Sequence, residues 1–376
     1  MTTSVQAQAE AAMRACLQKI ATGPEFSKDL SIEEAHAAMS HILAGRADPV
    51  QAGVFLIALR MKRETMDENR GILDALLQAC VCVQAAVADV VHLADPFDGQ
   101  TRGLPAAPFL PAVLAACGVS TVSNGAESVG PKFGITHAKV LRSAGVKVDL
   151  TPGQAAAQLA DSAVGWAYVD QRQSCPALHD LVDLRSRIVK RPCLTTLDVL
   201  LPPVRGRTQT HLMTGYVHKP YPPIYTMLAR QAGFSSAMII RGVEGGIIPS
   251  LNQPARLFRY QDDGLDQELR LEPLAFGIQS SVRAVPLPPK VAAPVGGELT
   301  AAIDVDNLST VAATAGLEAL AGVPGSMRES LVYGTAVCLY HLGKAPDHAA
   351  GAMLARDALD SGAAMRCFEA AIDCRI

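Results

Sequence analysis

The spacing of apolar residues changes near residue 88, and this change constrains the fold more than any other feature of the sequence. Before it, apolar residues recur at helical spacing between helix start and stop signals. After it, short β-branched runs such as VADVVHL alternate with helical stretches such as PFLPAVLAACG. Such alternation predicts a parallel or mixed sheet with helices on its faces. We therefore expect a helical part followed by an α/β part.

Helix starts are marked in the first part of the chain. Ser31 precedes Glu34 by three positions, the spacing of a capping box, and the segment ETMDENR repeats this spacing. An Asp-Pro pair, the favoured order for a helix start, opens the helix between them. Three apolar-faced helices in a row predict a small bundle. We assign residues 1–88 to a helical domain, completed by helices from about 176–210, and residues 89–376 to an α/β domain.

Composition limits the classes of protein to consider. A chain of 376 residues that is 49% hydrophobic and 18% charged is long and apolar enough for two domains with a substantial core. The net charge is −3 without a block of like charge, so nothing global favours nucleic acid. No apolar run is long enough to span a bilayer and no export signal is visible, so we expect a cytoplasmic protein without a membrane partner. Nine cysteines without a C-x-x-C pair indicate buried thiols.

The order of these segments resembles the anthranilate phosphoribosyltransferase family. LSIEEAHAAMSHILAGRADPVQAGVFLIALRMKRETMDE resembles the family's N-terminal helices, and GTAVCLYHLGKAPDHAAGAMLARDALDSGAAM resembles its C-terminal helices. The resemblance covers nearly the whole chain and is least clear over about 250–300. It implies a helical domain joined to an α/β domain with a central mixed sheet flanked by helices. It also implies a homodimer through the N-terminal helices, and a transferase related to tryptophan biosynthesis.

The segment ADPFDGQTRG aligns with the phosphate loop of this family, which has the form G-T-G-G-D-G. Only Asp98 and Gly99 of that motif remain here. Pro96 lacks an amide hydrogen, and Phe97 adds bulk where bare backbone should face a ligand. The next phosphate motif, N-x-S-T, falls on PAAP, whose side chains offer no hydrogen bond. A ligand-binding loop and a plain turn both stay open for this stretch.

The family's K-H-G-N-R motif falls on SNGAE, which includes Asn124 and Gly125. Glu127 stands in place of the arginine and disfavours phosphate through repulsion of like charges. The glycine-rich connection that follows offers an anion site with Lys132 and Arg142 as partners, while a structural turn is an equal alternative.

The family's magnesium ligands, an Asp-Glu pair, fall on Ile247 and Ile248, which cannot bind a hard cation. We therefore predict no metal site, and Mg²⁺ binds only if Glu244 or other residues replace the missing carboxylate pair. Arg241 comes at the end of a predicted strand, where open α/β sheets bind ligands, so we place it in the cleft.

The acceptor side of the family's site is better preserved. The segment CPALHDLVDLRSRIVKR matches the H-P-A-M motif, with Cys175 in place of histidine and with Arg185 and Arg191 at the expected spacings. In the family the first of these arginines contacts the anthranilate carboxylate. The resemblance therefore implies that Arg185 is exposed in the cleft between the domains, where a guanidinium binds a carboxylate or a phosphate.

Aromatic residues cluster in the segment GYVHKPYPPIYTMLARQAG. The rings of His218, Tyr221 and Tyr225 can stack on an aromatic ligand or a base, with Lys219 beside them. Packing of the tyrosines against the core is the plain alternative.

Two functions follow from these motifs. The first is a divergent phosphoribosyl or other pentosyl transferase that binds a small anionic ligand in the interdomain cleft, although the degraded metal and pyrophosphate motifs count against ordinary anthranilate transfer. The second is a non-catalytic paralogue that binds nucleic acid through a basic groove between the domains. Six basic residues within 23 positions are the candidates for that groove: Arg185, Arg187, Lys190, Arg191, Arg205 and Arg207. A solvated basic hinge explains the same stretch.

Overall fold

A computed structural model describes residues 2–23, 25–289 and 303–374. The chain begins with four helices: α1 (Thr2–Ile20), α2 (Ile32–Leu43), α3 (Pro49–Lys62) and α4 (Met66–Ala79). Both predicted capping boxes are present, because the side chains of Ser31 and Thr65 accept hydrogen bonds from the amides of Glu34 and Glu68. These local contacts satisfy amides that the first turn of a helix leaves without partners.

The α/β part is built on strands that occupy two sheets. The strands are β1 (Val83–Gln84), β2 (Asp89–Ala94), β3 (Thr121–Gly125), β4 (Trp166–Asp170), β5 (Val204–Arg205), β6 (Gln209–Gly215), β7 (Ser236–Ile240), β8 (Ala255–Gln261) and β9 (Gln267–Leu271). The large sheet has the order β4-β3-β2-β6-β7-β8-β9, and β1 pairs with β5 separately. Neighbouring strands from β4 to β7 run parallel, whereas β8 and β9 are antiparallel, so the predicted mixed sheet is confirmed.

Helices cover both faces of the large sheet. They are α5 (Leu110–Ala116), α6 (His137–Ser143), α7 (Pro152–Ala160), α8 (Gln171–Ser174), α9 (Pro176–His179), α10 (Val182–Arg187), α11 (Leu194–Leu197), α12 (Tyr221–Gln231), α13 (Val305–Leu320), α14 (Ser326–His341), α15 (His348–Asp360) and α16 (Ala363–Asp373). None of the helices in the described part of the chain is long and apolar enough to cross a membrane.

Two large apolar cores lie on opposite sides of the sheet. One packs α5 and α13–α16 against one face. The other joins α1–α4 to α9, α11 and α12, so segments that are distant in sequence share one core. The helical bundle therefore packs onto the α/β part near the carboxyl ends of the parallel strands. The domain boundary at residue 88 stays a prediction.

A proline-rich stretch covers residues 282–300, and its composition predicts an extended excursion or a linker. Its first residues, to Pro289, lie within the described part of the chain, and they pair with the loop after β2 through a hydrogen bond from the amide of Leu104 to the carbonyl of Val285 at 3.0 Å. The remainder of that stretch, from residue 290 to residue 300, lies outside the described residues.

Candidate functional site

The loop after β2 is held by its own side chains. Phe97 is buried in the core shared with the helical bundle. Gly99 has φ 75°, and a Cβ there would lie 2.7 Å from the carbonyl of Ile135, so this position requires glycine. The amide of Gln100 donates to the same carbonyl at 3.0 Å. The loop is thus a firmly fixed turn at the carboxyl edge of the sheet, where α/β proteins bind ligands.

Asp95 ties this loop to the loop after β7. One of its carboxylate oxygens accepts a hydrogen bond from the amide of Ile247 at 2.7 Å, and the other contacts Nε2 of His137 at 3.0 Å. Nδ1 of His137 contacts the hydroxyl of Ser123 at 2.9 Å. The chain of aspartate, histidine and serine has the residue types of a hydrolase triad. However, Ser123 is completely buried, so a substrate cannot reach its hydroxyl and the network is structural.

Asp98 is the centre of an ion cluster on the cleft wall. Arg191 donates from Nε at 2.9 Å and from Nη2 at 2.5 Å to one carboxylate oxygen of Asp98. The ammonium group of Lys132 lies 3.9 Å from the other oxygen and donates to the carbonyl of Gly99 at 3.1 Å. Asp98, Lys132 and Arg191 all line the cleft, whereas Gly99 is not among its lining residues.

Glu244 forms hydrogen bonds with backbone amides of the loop after β2. Its carboxylate accepts hydrogen bonds from the amides of Thr101 at 3.1 Å and Arg102 at 2.7 Å, and the ammonium of Lys132 lies 3.4 Å away. Glu244 adopts φ 53°, a left-handed conformation that is unfavourable for a residue with a Cβ. The strained residue therefore directs a carboxylate at two backbone donors of the neighbouring loop.

Arg185 is buried, and the expectation that it is exposed in the cleft is wrong. Its Nη2 donates to Asp198 at 3.0 Å, and the two side chains are each 1% exposed. Arg185 is not among the cleft-lining residues. Burial raises the pKa of Asp198 to about 6, and the charge of Arg185 offsets part of this effect. No pattern in the sequence indicates that an aspartate thirteen positions later folds back onto this arginine.

Asn124 and Gly125 also lie away from the cleft lining. The side-chain amide of Asn124 donates to the carbonyl of Leu201 at 3.2 Å, so it fastens β3 to the chain before β5. Arg142, one of the two candidate partners of an anion, donates to both oxygens of Glu127 at 2.6 and 2.5 Å. These hydrogen bonds lower the pKa of Glu127 and compensate its charge, so the repulsion that we expected from Glu127 is largely neutralised.

The cleft between the helical and α/β parts has a volume of about 940 Å³. Its basic residues outnumber its acidic ones by six to three: Arg60, Arg102, Lys132, Arg191, Arg241 and Arg283 against Glu64, Asp98 and Glu244. Arg241 follows β7 as predicted, and its exposed side chain forms no ion pair with any described carboxylate. The same holds for Arg283, which was missed in the sequence because it lies within the proline-rich stretch. The cleft therefore carries an excess of positive charge.

Aromatic rings line the same cleft. The ring centroids of His218 and Tyr221 are 6.2 Å apart, and those of Tyr221 and Tyr225 are 6.3 Å apart. Burial raises the pKa of both phenols, so they stay neutral and add no negative charge. Tyr225 is largely buried and supports the row, while His218 is exposed. One end of the row thus packs on the core and the other faces the cleft, and stacking on a ligand stays a prediction.

The residues at the expected metal position do not fit Mg²⁺. The side chain of Ile247 is buried, and its amide is engaged by Asp95. The carboxylate of Glu244 is already bound by two amides and an ammonium group. Within the described ranges, no three His, Cys, Asp or Glu residues are grouped so as to hold a metal ion. We therefore assign no step to a metal.

Four of the six basic residues that were candidates for a nucleic-acid groove are held by contacts within the chain, and Arg185 is one of them. Arg191 is the member of this set that lines the cleft. Arg187 pairs with Asp183 at 2.8 Å in an exposed ion pair. Arg205 donates to the carbonyl of Gly233 at 2.8 Å at the end of α12. These contacts occupy four of the six side chains, and the nucleic-acid alternative stays a prediction.

The helical bundle faces the carboxyl edge of a mixed sheet across a basic cleft, which is where open α/β sheets bind ligands. Two sequence models match the chain: the glycosyl transferase family helical bundle domain over residues 7–80, and the glycosyl transferase family a/b domain over residues 108–365. The chain belongs to this glycosyl transferase family, and the predicted kinship with anthranilate phosphoribosyltransferases is confirmed.

Relatives of this chain match it over most of their length. The anthranilate phosphoribosyltransferase of Afipia carboxidovorans is 28% identical over 353 residues, which are 93% of this chain and 95% of the relative. An uncharacterized protein of Aquifex aeolicus is 28% identical over 255 residues, which are 67% of this chain and 74% of the relative.

Solved structures of this kind share the fold. The anthranilate phosphoribosyltransferase of Thermus thermophilus superimposes with a TM-score of 0.73 at 19% identity, over 96% of this chain and 98% of that one. The anthranilate phosphoribosyltransferase of Saccharomyces cerevisiae in complex with PRPP and Mg superimposes with a TM-score of 0.75 at 17% identity, over 97% of this chain and 98% of that one. At these identities the likeness shows the fold alone.

Proposed function

We propose that this protein is a divergent pentosyl-transferase-like member of its family that binds a small anionic ligand with an aromatic ring in the interdomain cleft. The observation that carries the proposal is the pair Arg241 and Arg283, two guanidinium groups that face the cleft without a described carboxylate partner. A guanidinium binds a carboxylate or phosphate through paired, charge-assisted hydrogen bonds.

The position of these arginines supports this role. Arg241 follows β7 directly, and its amide donates to the carbonyl of Arg256 at 2.9 Å, which fixes the start of its loop. The carbonyl of Arg283 accepts a hydrogen bond from the amide of Leu251 at 2.9 Å. Both backbones are thus anchored before a ligand arrives, so little order has to be gained when it binds.

The rings supply the second half of the recognition. Tyr221 is half-buried on the cleft wall, and His218 next to it is exposed. A planar ligand that stacks there gains apolar contact, and the basic residues then neutralise its charge. Anthranilate and nucleoside monophosphates both combine a ring with an anion. We assign no magnesium-bound pyrophosphate to this cleft, because the described residues at the expected metal position do not fit Mg²⁺.

Titration calorimetry with anthranilate, AMP and inorganic phosphate, all in EDTA, tests the proposal. We expect a ring-bearing anion to bind more tightly than phosphate, and Arg241→Ala to weaken it by about tenfold or more, since a hydrogen bond to a charged group contributes about 1.5–3 kcal/mol. Arg256→Ala is the matched control, because Arg256 is exposed, pairs with Glu268 at 2.9 Å and does not line the cleft.

Two results would count against this function. One is equal loss of affinity in the Arg241 and Arg256 variants, since the effect would then be a general effect of charge. The other is tight binding of a single-stranded oligonucleotide with a steep dependence on salt, which would favour the nucleic-acid alternative.

We also propose that the protein acts in the cytoplasm as a homodimer.

A further inference from the structure

The carboxylate of Glu244 is bound as a ligand would be. One oxygen accepts from the amide of Arg102 at 2.7 Å, and the other accepts from the amide of Thr101 at 3.1 Å. Lys132 completes the site with its ammonium group 3.4 Å from the second oxygen. The side chain of Glu244 is only 7% exposed, so the two charges lie largely out of water. Two consecutive amides and an ammonium group are the donors that an oxyanion site requires.

The donors of this site are backbone amides, and their directions do not depend on Glu244. Thr101 and Arg102 lie on the loop after β2, whose shape is fixed by Gly99 and by the hydrogen bond from Gln100 to Ile135. Those contacts do not involve Glu244, so the two amides keep their direction when the carboxylate is absent. A phosphate or pyrophosphate group presents the same pair of oxygens to the same donors.

Glu244 reaches these donors from another loop and in a strained conformation. Its φ of 53° and ψ of 19° lie in the left-handed region that favours glycine. The glycines Gly245 and Gly246 follow it, so the segment can take other conformations. A strained residue whose carboxylate is held by another loop can be displaced by an anion that makes the same contacts without the strain.

We propose that the amides of Thr101 and Arg102, together with Lys132, form an oxyanion site which the carboxylate of Glu244 occupies. An external phosphate or pyrophosphate group binds there only by displacing Glu244. The resident carboxylate thus closes the part of the cleft nearest β2 to free oxyanions. This inference does not depend on the proposed function, because it concerns inorganic anions and a different set of donors from Arg241 and Arg283.

Titration calorimetry with inorganic pyrophosphate in EDTA tests this site. Glu244→Gly removes the carboxylate and suits the left-handed backbone, so we expect this variant to bind pyrophosphate about tenfold or more tightly than the unmodified protein. In protein labelled with ¹⁵N at threonine and arginine, the amide signals of Thr101 and Arg102 should shift with pyrophosphate in the variant. Adding Lys132→Met to Glu244→Gly should abolish the gain.

Charge alone is controlled by a second pair of variants. Glu244→Gln and Glu64→Gln each remove one negative charge from the cleft, but Glu64 lies between α3 and α4 on the helical side. We expect a gain in pyrophosphate affinity for Glu244→Gln and a much smaller one for Glu64→Gln. The Glu244→Gln variant also serves if the glycine variant does not fold.

Equal gains in the two glutamine variants would overturn the proposal. It would also be overturned by equal affinity of Glu244→Gly and the unmodified protein, or by unshifted Thr101 and Arg102 amides in the variant.

Discussion

The guanidinium of Arg185 donates to the carboxylate of Asp198 at 3.0 Å, and the two side chains are each only 1% exposed. Arg185 lies on α10, and Asp198 begins the short turn that follows α11, so the pair joins two segments of the inter-domain connection. Nε and Nη1 of Arg185 have no hydrogen-bond partner among the described residues. In this chain the arginine at the family's acceptor position therefore stabilises the connection.

We expect Arg185→Ala to lower the free energy of unfolding by about 3–5 kcal/mol, because it leaves the carboxylate of Asp198 buried without its partner. Urea denaturation followed by circular dichroism measures this change. Arg187→Ala removes an exposed arginine of the same helix, whose pair with Asp183 is about three-quarters exposed on both sides, and should change stability by less than about 1 kcal/mol. Similar values for the two variants would refute a structural role for Arg185.

Buried histidines predict a loss of stability in acid. Burial lowers the pKa of both His92 and His341 to about 3, from an ordinary value of 6.5. Between these values the unfolded chain binds a proton that the folded chain does not, so stability is full above pH 6.5 and falls as the pH drops towards 3. Each such histidine contributes a slope of about 1.4 kcal/mol per pH unit.

The variant His341→Gln isolates one of these contributions. His341 contacts the hydroxyl of Ser236 at 2.8 Å, and a glutamine amide can keep a hydrogen bond there. Urea denaturation at about pH 7, 6 and 5 should show a shallower loss of stability for this variant than for the unmodified protein. Parallel curves for His341→Gln and the unmodified protein would contradict the assignment.

Gly316 allows α13 to pack closely on a phenylalanine. A Cβ at this position would lie 2.0 Å from one ring carbon of Phe109 and 2.2 Å from the next. Alanine favours helices by about 1 kcal/mol over glycine, but the overlap of its Cβ with the Phe109 ring costs more than this gain. We therefore expect Gly316→Ala to destabilise the protein by about 1–3 kcal/mol. Gly153→Ala on α7, where a Cβ meets nothing within 4 Å, should be neutral or stabilising. Thermal unfolding of the two variants compares them, and a stabilised Gly316→Ala protein would show that this packing is loose.

The features that the sequence predicted depend on neighbours in the chain. The capping box of Ser31 and Glu34 is formed by residues three positions apart, so their spacing alone identifies it. The position of Arg241 follows from its place directly after β7, an apolar run that reads as a strand. Local patterns of this kind need no knowledge of the tertiary fold.

The features that the sequence missed depend on contacts between distant segments. Arg185 and Asp198 meet only after the chain turns between α10 and α11, and Glu244 meets Thr101 from a loop 143 positions away. The antiparallel hairpin of β8 and β9 also escaped notice, because the exposed β9 carries charged residues in place of an apolar run. Charged side chains do not show in a sequence whether they face a ligand or another side chain.

The exposed face of α3 predicts an interface between two copies of the chain. Val50, Val54 and Met61 are 74%, 43% and 77% exposed, although all three are apolar. They lie at positions i, i+4 and i+11, which a helical period of about 3.6 residues places on one side of α3. An apolar stripe on a surface helix marks an interaction site, and a two-fold axis allows the same stripe of a second copy to cover it. The resemblance to the family also implies a homodimer through the N-terminal helices, to which α3 belongs.

We expect the unmodified protein to sediment as a dimer at micromolar concentration and the double variant Val50→Glu, Val54→Glu to sediment as a monomer. Both positions are exposed, so the charges should disrupt association while the circular dichroism spectrum stays unchanged. Met353→Glu, Leu354→Glu is the matched control, since these exposed residues lie on α15, outside the bundle. That control should remain dimeric. A monomeric unmodified protein would show that there is no such interface. A double α3 variant that still forms dimers would show that the interface lies elsewhere.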